Sequence, residues 1–147
     1  MEFEGEFTVP QPGEKVYAFF ANAQELIDCL DDPHTLETMD DRHFRGTLTT
    51  GVAFIRGTFR FEGEYTELSP PGGLAASLNG TGMGSGLTAV VRVALSESAG
   101  STTSRWKAEM NVTGSVAAVG ERIIRGTVDK KVQGLFANAE KKLGGRA

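Results

Sequence analysis

The longest uninterrupted pattern in the chain is its last one. From Ser115 to Leu143 there is no proline, and Val116, Val119, Ile123, Ile124, Thr127, Val128, Val132, Leu135, Phe136, Ala139 and Leu143 return at three- and four-residue steps. That spacing gathers apolar side chains on one face of a helix. At 1.5 Å of rise per residue such a helix runs roughly 40 Å, enough to cross a whole small domain. Glu121, Arg122, Arg125, Asp129, Glu140 and Lys141 fall largely off the stripe, as one solvated face requires. The rest of the chain must therefore supply the surface on which this rod lies. Gly120, Gly126 and Gly134 sit inside the pattern, each costing up to about 1 kcal/mol against alanine. They call for a compensation, either close packing on a partner surface or room left for a ligand.

The preceding residues read as strands. Glu2 to Val9 alternates strictly, with Phe3, Gly5, Phe7 and Val9 on one side and Glu2, Glu4, Glu6 and Thr8 on the other, the pattern of a half-buried strand. Pro10 and Pro12 end it. Val16, Tyr17, Phe19 and Phe20 mark a short helix over Glu14 to Ala21. Asn22 is placed to cap a second helix through Leu26, Ile27 and Leu30, which Asp31-Asp32-Pro33 stops. From His34 onward the period is two. Strands are expected over His34 to Met39, His43 to Thr50, Val52 to Leu68, Gly73 to Met83, Leu87 to Ser96 and Thr102 to Thr113. The turns fall at Asp40-Asp41, Gly51, Ser69 to Gly72, Gly84-Ser85-Gly86 and Ser98-Ala99-Gly100. Short turns between successive strands make an antiparallel meander with one dry face, and only the terminal helix is long enough to cover it.

Residues 1–147 thus form one domain of ordinary size. A net charge of −4 argues against a nucleic-acid partner, which demands a clustered basic surface. The one basic concentration, Lys130, Lys131, Lys141, Lys142 and Arg146, reads as a solvated helix face, and contact with a membrane is at most peripheral. The single cysteine, Cys29, excludes an internal disulfide and reads as a buried thiol in a reducing compartment. With no apolar run of membrane-spanning length and no leader pattern at Met1-Glu2-Phe3-Glu4, the expected location is the cytoplasm.

The chemistry in the sequence is that of a binding cavity. Phe59, Phe61, Tyr65, Trp106 and Met110 share inward faces with Gly46, Gly57, Gly63, Gly80 and Gly82. Glycine in a strand interior supplies no volume, so either the sheet bends there or space remains beneath the helix. The expected cavity is lined by Phe59, Phe61, Tyr65, Leu78, Trp106, Met110, Val119, Ile123 and Thr127. An apolar, aromatic-lined pocket of that kind suits a lipid, a quinone or a flat hydrophobic ring. Gly80-Thr81-Gly82-Met83-Gly84-Ser85-Gly86 is followed by a strand and not a helix, so it offers no phosphate site and reads as a hairpin end. Asp31, Asp32 and His34 crowd one turn without the spread a metal site needs. His34 and His43, close together, give no Ser-His-Asp set. No cofactor, metal or catalytic residue is assigned.

Three further features carry a family resemblance: Val9-Pro10-Gln11-Pro12 leading into Glu14-Lys15-Val16-Tyr17, the paired short helices ending at Cys29, and the strand-rich middle closed by a long helix. This order resembles the helix-grip fold of the START-like superfamily (SRPBCC, Bet v 1-like), an α+β class in which about seven curved antiparallel strands wrap a C-terminal helix and two short helices follow strand 1. Gly57-Thr58-Phe59, Leu68-Ser69-Pro70-Pro71, the glycine-rich hairpin and Val119-Gly120-Glu121-Arg122-Ile123-Ile124 are similar to the CoxG family of carbon monoxide dehydrogenase subunits. Leu30-Asp31-Asp32-Pro33 departs from the Ile-Pro-Gly turn common there, and direct membrane anchoring, which membrane-tied members achieve through an extension beyond the domain, is not expected. The resemblance implies a non-catalytic accessory protein of a molybdenum hydroxylase complex, the carbon monoxide dehydrogenase, holding a hydrophobic quinone or lipid. A polyketide cyclase or dehydratase using the same cavity is the alternative, and a homodimeric state stays open.

Overall fold

The computed structural model describes residues 1–52 and 55–144. Strand β1 (Glu2–Val9) leads into two short helices, α1 (Gly13–Phe20) and α2 (Ala23–Ile27). Six strands follow: β2 (His34–Thr38), β3 (His43–Val52), β4 (Ile55–Ser69), β5 (Gly73–Gly82), β6 (Ser85–Ser98) and β7 (Ser101–Gly114). Helix α3 (Glu121–Gly144) closes the chain. The strands make one antiparallel sheet in the order β1-β7-β6-β5-β4-β3-β2. The alternation in β1 gives a strand but not its neighbour. Its partner is the last strand, and on the wet face Glu6 pairs with Arg105 at 3.0 Å.

Local chemistry explains the boundaries. Asn22 caps α2 by accepting from Glu25 N–H at 3.1 Å. The β5–β6 hairpin turns on Met83 and Gly84 alone, both at positive φ (54° and 72°), the two-residue turn whose twist matches the strands it joins. Ser85 and Gly86, expected in that turn, belong to β6. Gly51, also expected as a turn, lies inside β3; Ala53 and Phe54, expected within the fourth strand, lie outside the described residues, as does Arg146. In β4 the register shifts between Tyr65 and Glu67, a bulge that bends the strand.

The terminal helix starts six residues later than its apolar period predicts. Strand β7 continues to Gly114, paired with Ser85, and the Ser85 hydroxyl then accepts from Val116 N–H at 2.8 Å. This anchors a short 3₁₀ turn at Ala117–Val119, and Gly120 leaves it at φ 111°, outside the helical region. Val116 and Val119 therefore precede the helix, although Val116 is buried. From Glu121 the 24-residue helix is continuous, about 36 Å long. Its buried positions, Ile124, Val132, Phe136, Ala139 and Leu143, follow the expected stripe.

Close packing does not account for the glycines of α3. A side chain at Gly126 or Gly134 would meet nothing within 4 Å beyond the helix's own backbone. Gly126 is exposed, so Gly126→Ala is expected to raise the unfolding free energy by up to about 1 kcal/mol through helix propensity alone. Urea denaturation checks this, and a loss of stability would show that the position serves packing after all.

Glycines within the strands have a different reason. Gly5, Gly46 and Gly63 stand directly opposite Trp106, Phe61 and Phe44 in the ladder. A β-carbon on Gly5 would lie 2.6 Å from the Trp106 ring, one on Gly46 would clash first with the Thr35 backbone carbonyl and lie 2.9 Å from Phe61, and one on Gly63 would clash with the edge of the Phe44 ring. Each cross-strand aromatic lies over its glycine and takes the volume that glycine leaves. At these three positions neither a bend nor a void is the explanation.

Candidate functional site: a groove between two apolar clusters

The buried side chains beneath α3 form two separate clusters. The larger gathers Phe3, Phe7, Phe19, Phe20, Phe61, Tyr65 and Trp106 under the C-terminal half of α3, with Val132, Phe136, Ala139 and Leu143. Trp106 stacks on Phe136 with centroids 4.1 Å apart and planes 7° from parallel. The smaller is Val52, Val116 and Ile124, under the start of the helix. Met1 and Val128 touch both. Between the clusters the inward-facing side chains of the sheet, Leu48, Phe59, Leu78, Leu87, Met110 and Val112, are only half-buried, and so are Thr127 and Val128 above them. Leu48, Leu78 and Met110 pack against the larger cluster and Phe59 and Val112 against the smaller, so the two are joined by a strip of apolar side chains that the helix covers only in part, the candidate groove.

The expected lining residues divide along this boundary. Phe59, Leu78 and Met110 are half-buried on the inward face of the sheet, and Thr127 is half-buried on α3. Phe61 is buried at its edge, opposite Gly46 and Gly80. Tyr65 and Trp106 lie deeper in the large cluster. The Tyr65 hydroxyl donates to the Phe20 carbonyl at 2.7 Å, and burial, with Tyr17 nearby, pushes its phenol well above the usual range, so it stays neutral. Val119 is half-buried in the 3₁₀ turn, and Ile123 is 50% exposed while its neighbour Ile124 turns inward. Leu48, Leu87 and Val112 belong to the floor as well. The period-two pattern reaches all three once the ladder sets the register.

One flank of the groove is polar. Asp32, in the turn after α2, accepts from Lys131 Nζ at 2.6 Å and from the Thr50 hydroxyl at 3.0 Å through the same oxygen. Thr50 is buried and faces inward between Leu48 and Val52. Burial disfavours the Asp32 carboxylate, but Lys131, Thr50 and the more distant Arg56 outweigh it and hold its pKa below the ordinary value. Next to it His34 Nδ1–H donates to the Asp32 carbonyl at 2.7 Å, with Nε2 2.8 Å from Asp28, whose carboxylate raises the imidazole pKa. Asn138 on α3 donates to the Cys29 carbonyl at 2.7 Å and so ties the same turn to the helix. The Cys29 thiol is buried and donates to the Glu25 carbonyl at 3.5 Å. Asp32 and His34 are thus engaged with protein partners, and among the described residues no three His, Cys, Asp or Glu side chains are grouped to hold a metal. The opposite flank is Met1, whose amino group donates to the Met110 carbonyl at 2.8 Å. Among the described residues no helix is long and apolar enough to cross a membrane.

A curved seven-stranded antiparallel sheet with one long C-terminal helix and two short helices after the first strand defines a helix-grip protein of the START-like, Bet v 1-like fold. Within that class the chain belongs to the CoxG family of carbon monoxide dehydrogenase subunits, whose model matches residues 5–144. Among solved structures it is similar to a conserved protein from Geobacillus kaustophilus, with a TM-score of 0.85 and 22% identity over 97% of this chain and 95% of that one. It is also similar to TTHA0849 from Thermus thermophilus (TM-score 0.69, 14% identity, 97% of each chain covered). A third is Ara h 8.0201 (TM-score 0.65, 15% identity, 97% of each chain covered). At these identities the likenesses establish the fold. No curated protein matches the sequence.

Proposed function

We propose that this protein is a non-catalytic carrier that holds a hydrophobic ligand, a lipid or a quinone-like molecule, between α3 and the sheet, and that it serves a molybdenum-containing carbon monoxide dehydrogenase as an accessory factor. The observation that carries the first part is the division of the core, which leaves Leu48, Phe59, Leu78, Leu87, Met110 and Val112 half-open along one apolar face. Burying that face against a guest is favourable by about 25 cal/mol per Å². Support for the second part is membership of a family named for a subunit of that enzyme. Catalysis of the polyketide cyclase kind calls for an acid or base poised over the bound chain. The six floor residues carry none, and the charged groups beside them, Lys131 and Asp32, are paired with each other at 2.6 Å, an ion pair in place of a free base, which disfavours that reading.

Native mass spectrometry on protein purified from its own cells tests the proposal. Adducts that solvent extraction identifies as lipids or quinones are the expected result. Bare protein that also fails to take up such molecules on addition would overturn it.

A further inference from the structure

The groove's floor and its flank differ in chemistry, and the difference bears on the ligand's head. The floor offers aliphatic, aromatic and thioether surface and no hydrogen-bonding side chain. The flank offers Lys131, four residues beyond Thr127 and three beyond Val128, the helix residue that touches both clusters. An ammonium has three protons. One goes to Asp32, and the other two have no protein partner among the described residues. Lys131 and Asp32 are 32% and 24% exposed, so the pair is partly desolvated. A partly desolvated ion pair contributes little net stability.

Resting on the carrier reading, we infer that Lys131, neutralised by Asp32 and steadied through Thr50, selects amphiphiles whose head group is a neutral oxygen acceptor, such as an ester or ketone carbonyl, and rejects free carboxylates of the same chain. A carbonyl accepts one of the two unspent protons of Lys131 at no cost in charge. A carboxylate in the same place meets the negative charge of Asp32 within a few ångströms, where water is partly excluded and repulsion is strong. Discrimination here comes as much from the repelled competitor as from the bond made.

Displacement of the neutral fluorophore N-phenyl-1-naphthylamine by lauric acid and by methyl laurate, at pH 8 where the free acid is ionised, tests this. Wild-type protein is expected to bind the ester about tenfold more tightly than the acid. Asp32→Asn leaves Lys131 with an uncompensated charge and is expected to reverse the order. Should that variant not fold, Lys131→Gln serves: it keeps a donor, removes the cation and is expected to widen the preference for the ester. Equal affinities for ester and acid in the wild type, or a preference that neither substitution moves, would overturn the inference while leaving the carrier reading intact. Failure of the wild type to bind fluorophore, ester and acid alike would instead remove the carrier reading itself.

Discussion

Phe136→Ala is expected to lower the unfolding free energy by about 3–5 kcal/mol, the range for deleting a fully packed aromatic from a core. Phe136 is 5% exposed, stacks on Trp106 at 4.1 Å and lies 6.3 Å from Phe20, so its ring joins the sheet, α1 and α3 at one point. The surrounding elements have little freedom to collapse into the vacancy. Trp106 is pressed across Gly5 of the edge strand and Phe20 is held edge-on by Phe19 at 5.5 Å. Calorimetry on a domain of this size translates such a loss into roughly 10–15 °C of melting temperature. Because Trp106 is the only tryptophan, its emission should shift to longer wavelength in the folded variant as water reaches the ring. A loss under about 1 kcal/mol would mean that the large cluster is looser than its stacking geometry implies.

A second large effect is expected at Gly63. Its β-carbon would clash with the edge of the Phe44 ring and lie 3.2 Å from the Ser77 carbonyl; Phe44 is 8% exposed and tilts against Tyr65 at 5.7 Å, so the ring has little room to retreat. Gly63→Ala is expected to cost about 2–3 kcal/mol through overpacking. Phe44→Leu alone opens a modest cavity. The double variant, in which the smaller side chain leaves room for the new methyl, should be more stable than the sum of the single losses predicts, by about 1 kcal/mol or more. Additive losses would show that the glycine and the ring are independent, contrary to the cross-strand pairing.

These two sites show what is legible in the sequence. The apolar period of α3 names the residues that are buried, because burial follows the same 3.6-residue spacing that carries the stripe. It places the start too early. The apolar positions Val116 and Val119 continue the stripe by chance of spacing, while Gly120 and the Ser85–Val116 bond decide where the helix begins. Strand alternation separates the inward from the outward faces correctly, down to Trp106, Ala108, Met110 and Val112. What it lacks is register. Without the pairings Gly5–Trp106, Gly46–Phe61 and Gly63–Phe44, glycine on an inward face looks like missing volume, when the volume belongs to the ring next door.

The inward side chains of the proposed groove are half legible. That Phe59, Leu78 and Met110 face inward follows from the alternation, and the half-burial of Thr127 from the helical stripe. Ile123 and Ile124 are adjacent, and spacing alone does not decide which turns inward; the helix's later start and its seat on Val52 and Val116 favour Ile124. The polar flank leaves no trace in local sequence. Asp32 and Lys131 are 99 positions apart, and Lys131 reads as one cation of a solvated run until the turn after α2 is brought against the helix.

The central claim is that the space between the two clusters is a site for a hydrophobic guest, and filling it is the most direct test. Leu78 is half-buried on the inward face of the sheet at the margin of the large cluster, and Leu78→Trp adds volume there. Titration with N-phenyl-1-naphthylamine, paired with a thermal melt, is the measurement. One saturable site in the wild type is expected, and at least about a tenfold loss of affinity in a Leu78→Trp protein that still unfolds cooperatively. Binding that is undiminished in that folded variant would place the guest elsewhere and contradict the account.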